Sequence, residues 1–573
     1  APYLRQHSFA NIDEVKTVHL ALDLVVDFDH EVIHGVANHS IQILHPTDFM
    51  LLDVRDLSIE KVVLDADTVP VDFELGPNYP VVGGYLKIPI KPTTKNVAVH
   101  YKTTEKSKAL DWLKPNDKNG LDKPFVYSQG QPILTRTWIP LQDDPSQRIT
   151  YSAKVQVPKD MLPLMSANNP QRKNDSGVYY FEMNQAIPSY LIAIAVGDLH
   201  FSSLDDISGI YALPSMVDIA TEEFQDIPKM ITAAAELYGT YLWERFDVLV
   251  LPASFPFGGM ENPRLTFATP TLIAGDRSLV SVIAHELAHS WSGNLVTNAT
   301  WDDIWLNEGF TVYFENRIME KLYGKEIADM LFLIEYQELL ETIDQFKNNG
   351  EYSDTHLKLD LTCRDPDEGL TDIAYVKGGL LLKTLEQVIG REKIDAFLTR
   401  YFNDFAFQTL TTEQFLDYFY EHVDVLNTDF VIEKWIYEPG IPEGAAVITS
   451  EKFDAMNQLA HQVQFGAALP KNLTRSDRIT QEWLTFIRAL TPEIPHATIE
   501  AIDAQLGFSK SGNAEIMTEW FVLSIDANYK GFRDEITSFL TKIGRRKFLR
   551  PMYAALKNNP DMADWGVEIF QKV

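Results

Sequence analysis

Cysteine is almost absent from this sequence of 573 residues, which contains only Cys363. No intrachain disulfide can form, which fits a reducing compartment and favours a cytoplasmic location. An exported protein without disulfides, from which a leader has been removed, would have the same composition. The sequence also lacks any run of 18 apolar residues, so we expect no membrane-spanning helix.

Positive charge is scarce as well. The 81 aspartates and glutamates outnumber the 50 lysines and arginines, and the formal net charge is −31. A surface of this sign repels nucleic acid and anionic membranes, so we expect neither as a partner. It suits cationic ligands, although an ordinary solvated acidic surface accounts for most of the excess. For the oligomeric state we expect a monomer or a weak oligomer.

The chain is too long for one hydrophobic core, and its patterns change along its length. Residues 1–202 contain short alternating apolar runs between turn residues, which predict a large antiparallel sheet system. Residues 203–442 mix a short apolar strand pattern with helical patterns. Residues 443–573 begin as a Pro/Gly linker and continue as amphipathic helices. The predicted fold class is therefore α+β, with several domains.

Residues 281–315 contain the strongest chemical signal, an H-E-x-x-H pattern that starts at His285. His285 and His289 are four residues apart, so they share one face of a helix and can hold one metal ion. Glu308 opens a second predicted helix and can fold back as a third ligand. Two histidines, one carboxylate and an open position describe a catalytic zinc site, with Glu286 placed as general base. Two core histidines, the alternative, would not account for the downstream N-E-G sequence.

A second segment reads Gly258-Gly259-Met260-Glu261-Asn262. Two consecutive glycines let the backbone approach a ligand closely, and their N–H and C=O groups can pair with an extended peptide. Glu261 could then project a carboxylate beside the metal. The alternative is a plain turn with a solvated glutamate.

Three further sets of residues have weaker signals. Gln129 and Gln131 would share one face if their segment is extended, although the residues alone favour two surface glutamines. Tyr375 starts a predicted apolar helix and can donate a hydrogen bond into a cleft, or simply pack. The basic run with Arg545 and Lys547 could bind a carboxylate or phosphate, or be a solvated helix end.

Together, H-E-L-A-H, the N-E-G glutamate and G-G-M-E-N resemble the zinc aminopeptidases of the gluzincin class. The resemblance is to the branch of leukotriene A4 hydrolase and its bacterial aminopeptidase relatives, and it extends over nearly the whole chain. It implies a β-rich N-terminal domain, a thermolysin-like catalytic domain and an α-helical C-terminal domain around a central cleft.

The resemblance also implies a role for individual residues. One Zn²⁺ per chain would be held by His285, His289 and Glu308, with Glu286 as general base and Tyr375 stabilising the oxyanion. The residues implied in peptide binding are Glu261 for the free α-amine, Gln129, Gln131 and Met260 around the first side chain, Gly258 and Gly259 for the backbone, and Arg545 and Lys547 for the C-terminal carboxylate.

Two positions depart from the leukotriene hydrolase pattern. Leu370 and Phe257 stand where that enzyme has tyrosines, whereas Asp367 matches the aspartate linked to epoxide hydrolysis. We therefore expect a zinc aminopeptidase that acts on short peptides with a free N-terminus. An epoxide hydrolase activity on a leukotriene-like lipid in the same site is the alternative, and a non-catalytic peptide-binding protein is a third.

Overall fold

The computed structural model describes residues 5–116 and 120–573 of the chain. It has a β-rich N-terminal domain, a central domain that combines a mixed sheet with helices, and a helical C-terminal domain. The three-domain organisation and the α+β class predicted from the sequence are confirmed.

The N-terminal domain is built from thirteen strands within the described residues. They are β1 (Val15–Asp27), β2 (Val32–Ile43), β3 (Phe49–Val54), β4 (Ser58–Leu64), β5 (Glu74–Leu75), β6 (Gly84–Pro89), β7 (Asn96–Lys102), β8 (Leu110–Leu113), β9 (Phe125–Ser128), β10 (Arg148–Gln156), β11 (Leu162–Met165), β12 (Val178–Pro188) and β13 (Ile194–Gly197). In β1, Leu20, Leu22 and Leu24 are buried and alternate with more exposed residues, as expected for a strand with one face in the core.

These strands form three sheets rather than the single antiparallel system expected from the sequence. The orders are β12-β10-β1-β2-β7-β4, β11-β13-β9-β8 and β3-β6-β5. β1 and β10 pair in parallel, since the chain returns to β1 only after a long excursion through the other strands. Period-2 patterns identify strands but do not specify their partners, which explains the difference.

The central domain contains a five-stranded sheet, a two-stranded sheet and nine helices among the described residues. Its elements are β14 (His200–Ser203), β15 (Ser208–Ala212), α1 (Val217–Glu223), α2 (Ile227–Tyr238), β16 (Phe246–Val250), β17 (Gly259–Met260), β18 (Thr266–Ala268), α3 (Ser281–Ala288), β19 (Val296–Asn298), α4 (Trp305–Tyr323), α5 (Lys325–Asn348), α6 (Gly378–Ile389), α7 (Arg391–Asp404), β20 (Gln408–Leu410), α8 (Thr412–His422) and α9 (Ile432–Tyr437).

The five-stranded sheet has the order β14-β15-β16-β18-β17. β16 is entirely buried, which agrees with the apolar run in its sequence. β17 lies at the edge and pairs only with β18, in antiparallel orientation. The predicted boundary after residue 202 falls within β14, whose partner is β15 of this sheet.

The C-terminal domain consists of helices packed around their own core. They are α10 (Glu451–Gln464), α11 (Thr480–Ala489), α12 (His496–Leu506), α13 (Ala514–Asp526), α14 (Arg533–Lys542), α15 (Arg546–Asn558) and α16 (Ala563–Phe570). Met330 and Ile334 of α5 contribute to this core, so the long helix α5 joins the last two domains. Among the described residues, no helix is both long and apolar enough to cross a bilayer.

Candidate metal centre and active site

Three ligand atoms meet where α3 and α4 face each other. His285 lies on α3, His289 directly follows its last residue, and Glu308 is in the first turn of α4. The Nε2 atoms of the histidines are 3.1 Å apart, and each lies 3.3 Å from Oε2 of Glu308. Ligand atoms about 2.0–2.2 Å from a tetrahedral Zn²⁺ ion lie roughly 3.3–3.5 Å from one another, so the triangle has the size that such an ion requires.

The hydrogen bonding and charge of these three side chains also favour binding of a cation. Oε2 of Glu308 is buried and has no hydrogen-bond donor among the described residues. Burial opposes ionisation of Glu308, but the neighbouring histidines outweigh it and lower the pKa of this carboxyl group. A buried anionic oxygen without a donor is unfavourable unless a cation neutralises it. The three side chains therefore have the chemistry and the spacing of a zinc site.

The histidines are oriented by groups that the sequence did not single out. Nδ1 of His289 lies 2.8 Å from the carbonyl oxygen of Ser292 and 3.1 Å from Oγ1 of Thr311, so its N–H can donate there and Nε2 is left to bind metal. Nδ1 of His285 lies 3.7 Å from Oε1 of Glu315. Thr311 and Glu315 lie three and seven residues after Glu308, and this helical spacing was the signal available in the sequence.

Glu286 is buried beside the metal-binding triangle, and its Oε2 has no hydrogen-bond partner among the described residues. Burial, with the negative charge of Glu261, raises the pKa of Glu286 well above its ordinary value. A Cβ atom added at Gly259 would lie 2.5 Å from Oε1 of Glu286. Glycine is therefore required at this position by a side chain of the protein itself, and not only by a ligand.

Glu261 directly follows the edge strand β17 and is also buried. Its Oε2 lies 4.0 Å from Nε2 of His289, and its Oε1 has no donor among the described residues. Burial raises the pKa of this carboxyl group. Because β17 has a partner strand on only one side among the described residues, an extended peptide can pair with its other edge and end at Glu261.

Gln129 directly follows β9, and Gln131 begins a turn, so the two residues do not lie on one extended strand. Nε2 of Gln129 lies 3.2 Å from Sδ of Met260, which places this glutamine against β17. Oε1 of Gln129 and Nε2 of Gln131 are buried and have no partner among the described residues. Both amides can therefore bind a group from outside the protein.

Tyr375 lies in a π-helical turn, Ile373–Lys377, that leads into α6, rather than on a regular helix as expected. Its ring is nearly parallel to that of His285, with an angle of 11° and a centroid distance of 5.7 Å. Burial, followed by the charges of Glu308 and Glu261, raises the pKa of Tyr375 well above its ordinary value. The hydroxyl therefore stays protonated at neutral pH and can donate a hydrogen bond.

Comparison with known protein families agrees with this arrangement. Residues 16–191 match the peptidase M1 N-terminal domain, and residues 222–435 match the peptidase family M1 domain. Residues 479–573 match the family described as leukotriene A4 hydrolase, C-terminal. The chain belongs to peptidase family M1. It is a zinc metallopeptidase, a hydrolase of the exopeptidase class.

Similar proteins cover the whole length of this M1 peptidase. Leukotriene A-4 hydrolase of Xenopus laevis is 35% identical in an alignment of 592 positions that covers 99% of this chain and 96% of the relative. Leucine aminopeptidase 2 of Yarrowia lipolytica is 33% identical in an alignment of 601 positions that covers 99% of this chain and 90% of the relative. The structure of yeast LTA4 hydrolase in complex with bestatin matches with a TM-score of 0.90 and 32% identity, covering 100% of this chain and 95% of the other.

The basic run of the M1 peptidase meets the glycine segment across the domain boundary. Arg545 is buried, Nη1 donates a hydrogen bond of 3.2 Å to Oγ1 of Thr271, and Nε has no acceptor among the described residues. Lys547 donates a hydrogen bond of 2.9 Å to Oε1 of Glu515. That oxygen lies 3.9 Å from Nη1 of Arg545. Nη2 of Arg545 lies against Gly258, where an added Cβ would be 2.7 Å away, whereas Lys547 is hydrogen-bonded to a carboxylate.

Asp367 lies apart from the metal-binding triangle in this peptidase. It belongs to a short turn, and its Oδ2 is 3.7 Å from Nη1 of Arg546, whose guanidinium group lies 5.3 Å from the ring centroid of Phe257. No hydrogen bond or ion pair among the described residues connects Asp367 with His285, His289 or Glu308. The structure therefore brings Asp367 to Arg546 of the basic run, and the same arginine lies over the ring of Phe257.

Proposed function

We propose that this M1 peptidase removes N-terminal residues from short peptides and holds one zinc ion per chain on His285, His289 and Glu308. The observation that supports this proposal is the buried carboxyl group of Glu261, which directly follows the edge strand β17 and whose Oε1 has no donor among the described residues. A buried carboxylate needs a cationic or donor partner, and the α-ammonium group of a peptide provides both. Glu261 lies 4.0 Å from His289, a distance that supports binding of the α-ammonium group beside the proposed metal site.

Glu286 and Tyr375 have separate roles in the proposed reaction. Zinc supplies a Lewis acid and lowers the pKa of water to about 7. Glu286 accepts a proton from the attacking water and hands it to the leaving amine, a task that suits its raised pKa. The hydroxyl of Tyr375 donates to the carbonyl oxygen as negative charge develops on it.

Neighbouring groups define the rest of the substrate site. Gln129, Gln131 and Met260 surround the first side chain, and the backbone of Gly258 and Gly259 pairs with the peptide. Arg545 and Lys547 bind the C-terminal carboxylate, which favours short peptides because both chain ends must be reached at once. Support comes from the unpartnered amide atoms of the two glutamines and from Nε of Arg545.

The variant Glu261→Gln tests this proposal, with Glu392→Gln on the exposed face of α7 as control. We expect kcat/KM for an aminoacyl anilide to fall about 100-fold or more, because the ion pair that positions the scissile carbonyl is lost. Zinc content should stay at one per chain, and N-acetylated substrates should resist the parent enzyme. Equal cleavage of blocked and free peptides, or an unchanged rate in Glu261→Gln, would remove the aminopeptidase assignment.

A lipid epoxide hydrolase activity in the same site is the second candidate. It is supported by the presence of Asp367 and by the relative named leukotriene A-4 hydrolase. Leu370 and Phe257 change the pocket from the pattern of that enzyme, which weakens the case for a leukotriene as natural substrate. Incubation with leukotriene A4 tests this activity, with Asp367→Asn as control. If no diol forms above the non-enzymatic background, the epoxide hydrolase activity is ruled out.

Three further points remain proposals. A cytoplasmic location is supported by Cys363, which is exposed and unpaired. We propose a monomer or weak oligomer, to be measured by light scattering. The resemblance to bacterial aminopeptidases predicts a bacterial source, but the full-length relatives described above come from a frog and yeasts and give this prediction no support.

A further inference from the structure

Lys377 ends the π-helical turn that contains Tyr375, and its side chain has no exposed surface. Nζ donates to two backbone carbonyl oxygens, that of Thr355 at 2.7 Å and that of Glu438 at 2.9 Å. Among the described residues, no carboxylate oxygen lies within 4.0 Å of Nζ. A buried amine without a carboxylate is unfavourable unless its hydrogen bonds are satisfied.

The number of acceptors matches the neutral form of this amine. A neutral amine has two N–H donors, whereas an ammonium group has three, and the two carbonyls accept two hydrogen bonds. Burial lowers the pKa of Lys377 to about 7, and the charge of Glu438 opposes this shift only in part. Lys377 is therefore suited to a structural connection inside the protein rather than to an ion pair.

The two hydrogen bonds connect segments that are distant in the sequence. Thr355 ends the turn Tyr352–Thr355 that follows α5, and Glu438 directly follows α9. The same threonine accepts a hydrogen bond of 2.8 Å at Oγ1 from the backbone N–H of Gly440. Lys377, Thr355, Glu438 and Gly440 form a cluster that we call the Lys377 node. A Cβ added at Gly440 would clash with the hydroxyl of Tyr352, so this node is closely packed.

The opposite side of the π-helical turn rests against α4. A Cβ added at Gly309 would lie 2.7 Å from Cα of Gly378, and the reverse distance is also 2.7 Å. Gly309 follows Glu308, and Gly378 follows Lys377. The backbone that carries Tyr375 is therefore held between the helix of a proposed zinc ligand and the Lys377 node. A π-helical turn has non-standard backbone hydrogen bonds, so such outside contacts define where its side chains lie.

We propose that Lys377 is a positioning residue, whose two hydrogen bonds fix the π-helical turn so that the hydroxyl of Tyr375 lies over the reacting carbonyl group. This inference rests on the role proposed above for Tyr375. Lys377 touches neither substrate nor metal, and it acts only through Tyr375. Its effect therefore belongs to the chemical step and not to substrate binding.

A double-mutant cycle with Tyr375→Phe tests this. Methionine has about the length of the lysine side chain but lacks the amine. Lys377→Met should lower kcat about tenfold or more, because small misplacements of a catalytic group have effects of this size. KM should change less than about twofold. In the Tyr375→Phe background the same change should have no further effect. Lys383→Met serves as control, because Lys383 is a largely buried lysine of α6 whose Nζ binds Asn316 instead. Zinc content and melting temperature are measured for every variant.

Lys377→Gln provides a second test if the Met variant is unstable. Its amide keeps two N–H donors on a shorter side chain, so kcat should lie between those of the parent and the Met variant. Losses that multiply in the double variant overturn the positioning role and leave the proposed function intact. A Tyr375→Phe variant with the parent's kcat overturns the proposed role of Tyr375, and the inference about Lys377 with it.

Discussion

Gly259 and Glu286 are in direct contact: a Cβ at position 259 would lie 2.5 Å from Oε1 and 2.8 Å from both Cδ and Cγ of the glutamate. Three atoms of the side chain are involved, so rotation of the carboxylate alone would not relieve the clash. The preceding Gly258 faces a different group, since its Cβ would lie 2.7 Å from Nη2 of Arg545. Two consecutive glycines thus make room for a proposed general base and a proposed carboxylate-binding residue.

Gly259→Ala should displace Glu286 from the attacking water. We expect kcat on aminoacyl anilides to fall about 10- to 100-fold, because general-base catalysis depends on hydrogen-bond distance to the reacting proton. The zinc content should not change, since Glu286 does not belong to the metal-binding triangle. Steady-state kinetics and metal analysis on the same preparation measure both quantities.

Gly258→Ala is the matched control for that experiment. The added methyl group meets the flexible end of Arg545, which can shift, so kcat on anilides should stay within about twofold of the parent enzyme. For peptides with a free C-terminal carboxylate, KM should rise instead. Identical behaviour of the two variants would contradict this division of roles between the glycines.

Thr311→Val should weaken zinc binding without removing a proposed ligand. The hydroxyl of Thr311 lies 3.1 Å from Nδ1 of His289 and donates a hydrogen bond of 3.0 Å to the carbonyl of Ser292. Loss of such a supporting group typically reduces metal affinity about 10- to 100-fold. Competition with a calibrated chelator measures the affinity, and kcat at saturating zinc should change far less.

The control for this experiment is Thr537→Val on α14, where the hydroxyl bonds to the carbonyl of Arg533 in its own helix. This variant should bind zinc as the parent enzyme does. Equal zinc affinity in Thr311→Val and in the parent would show that the backbone carbonyl of Ser292 orients His289 by itself.

The two basic residues at the start of α15 should differ in their contribution to substrate binding. Arg545 has an unpartnered Nε, whereas Nζ of Lys547 is bonded to Glu515. Arg545→Ala should therefore raise KM for free-acid tripeptides about tenfold or more, and Lys547→Ala should have the smaller effect. Peptides with an amidated C-terminus should be cleaved equally by both variants and the parent. A larger effect of Lys547→Ala would reverse the assignment.

The sequence predicted the parts of the site that depend on local spacing. The positions of His285, His289 and Glu308 follow from helical periodicity and an N-terminal first turn, which are properties of a few adjacent residues. The turn that carries Tyr375 could not be predicted, because a π-helical turn depends on contacts with α4 and with the Lys377 node, whose partners come from elsewhere in the chain.

The same limit applies to the sheets and to the glycines. Alternation in β1 identified a strand, but its parallel pairing with β10 is set by contacts more than a hundred residues apart. The glycine pair was recognised as a place of close approach, yet the groups that approach it, Glu286 and Arg545, come from α3 and from the boundary of α15. Tertiary neighbours, rather than local propensity, determine these features.

The pH dependence of stability should report the protonation state of Lys377. Its pKa is about 7 in the folded protein and about 10.4 in an unfolded chain, so between these values the unfolded state binds more protons. Stability must then rise with pH across this interval, by at most about 1.4 kcal/mol per pH unit from this group. Lys377→Met removes this contribution. The free energy of unfolding of the parent, minus that of the variant, should therefore increase from about pH 7 to pH 10.

Denaturant titrations at several pH values in this range measure the difference, with the exposed Lys434→Met as control. Lys434→Met removes one exposed lysine and so controls for the loss of a lysine as such. Parallel curves for the parent and Lys377→Met would mean that Lys377 stays protonated when the protein folds. In that case its third N–H would need an acceptor besides Thr355 and Glu438, and the match between two donors and two carbonyls would no longer explain the node.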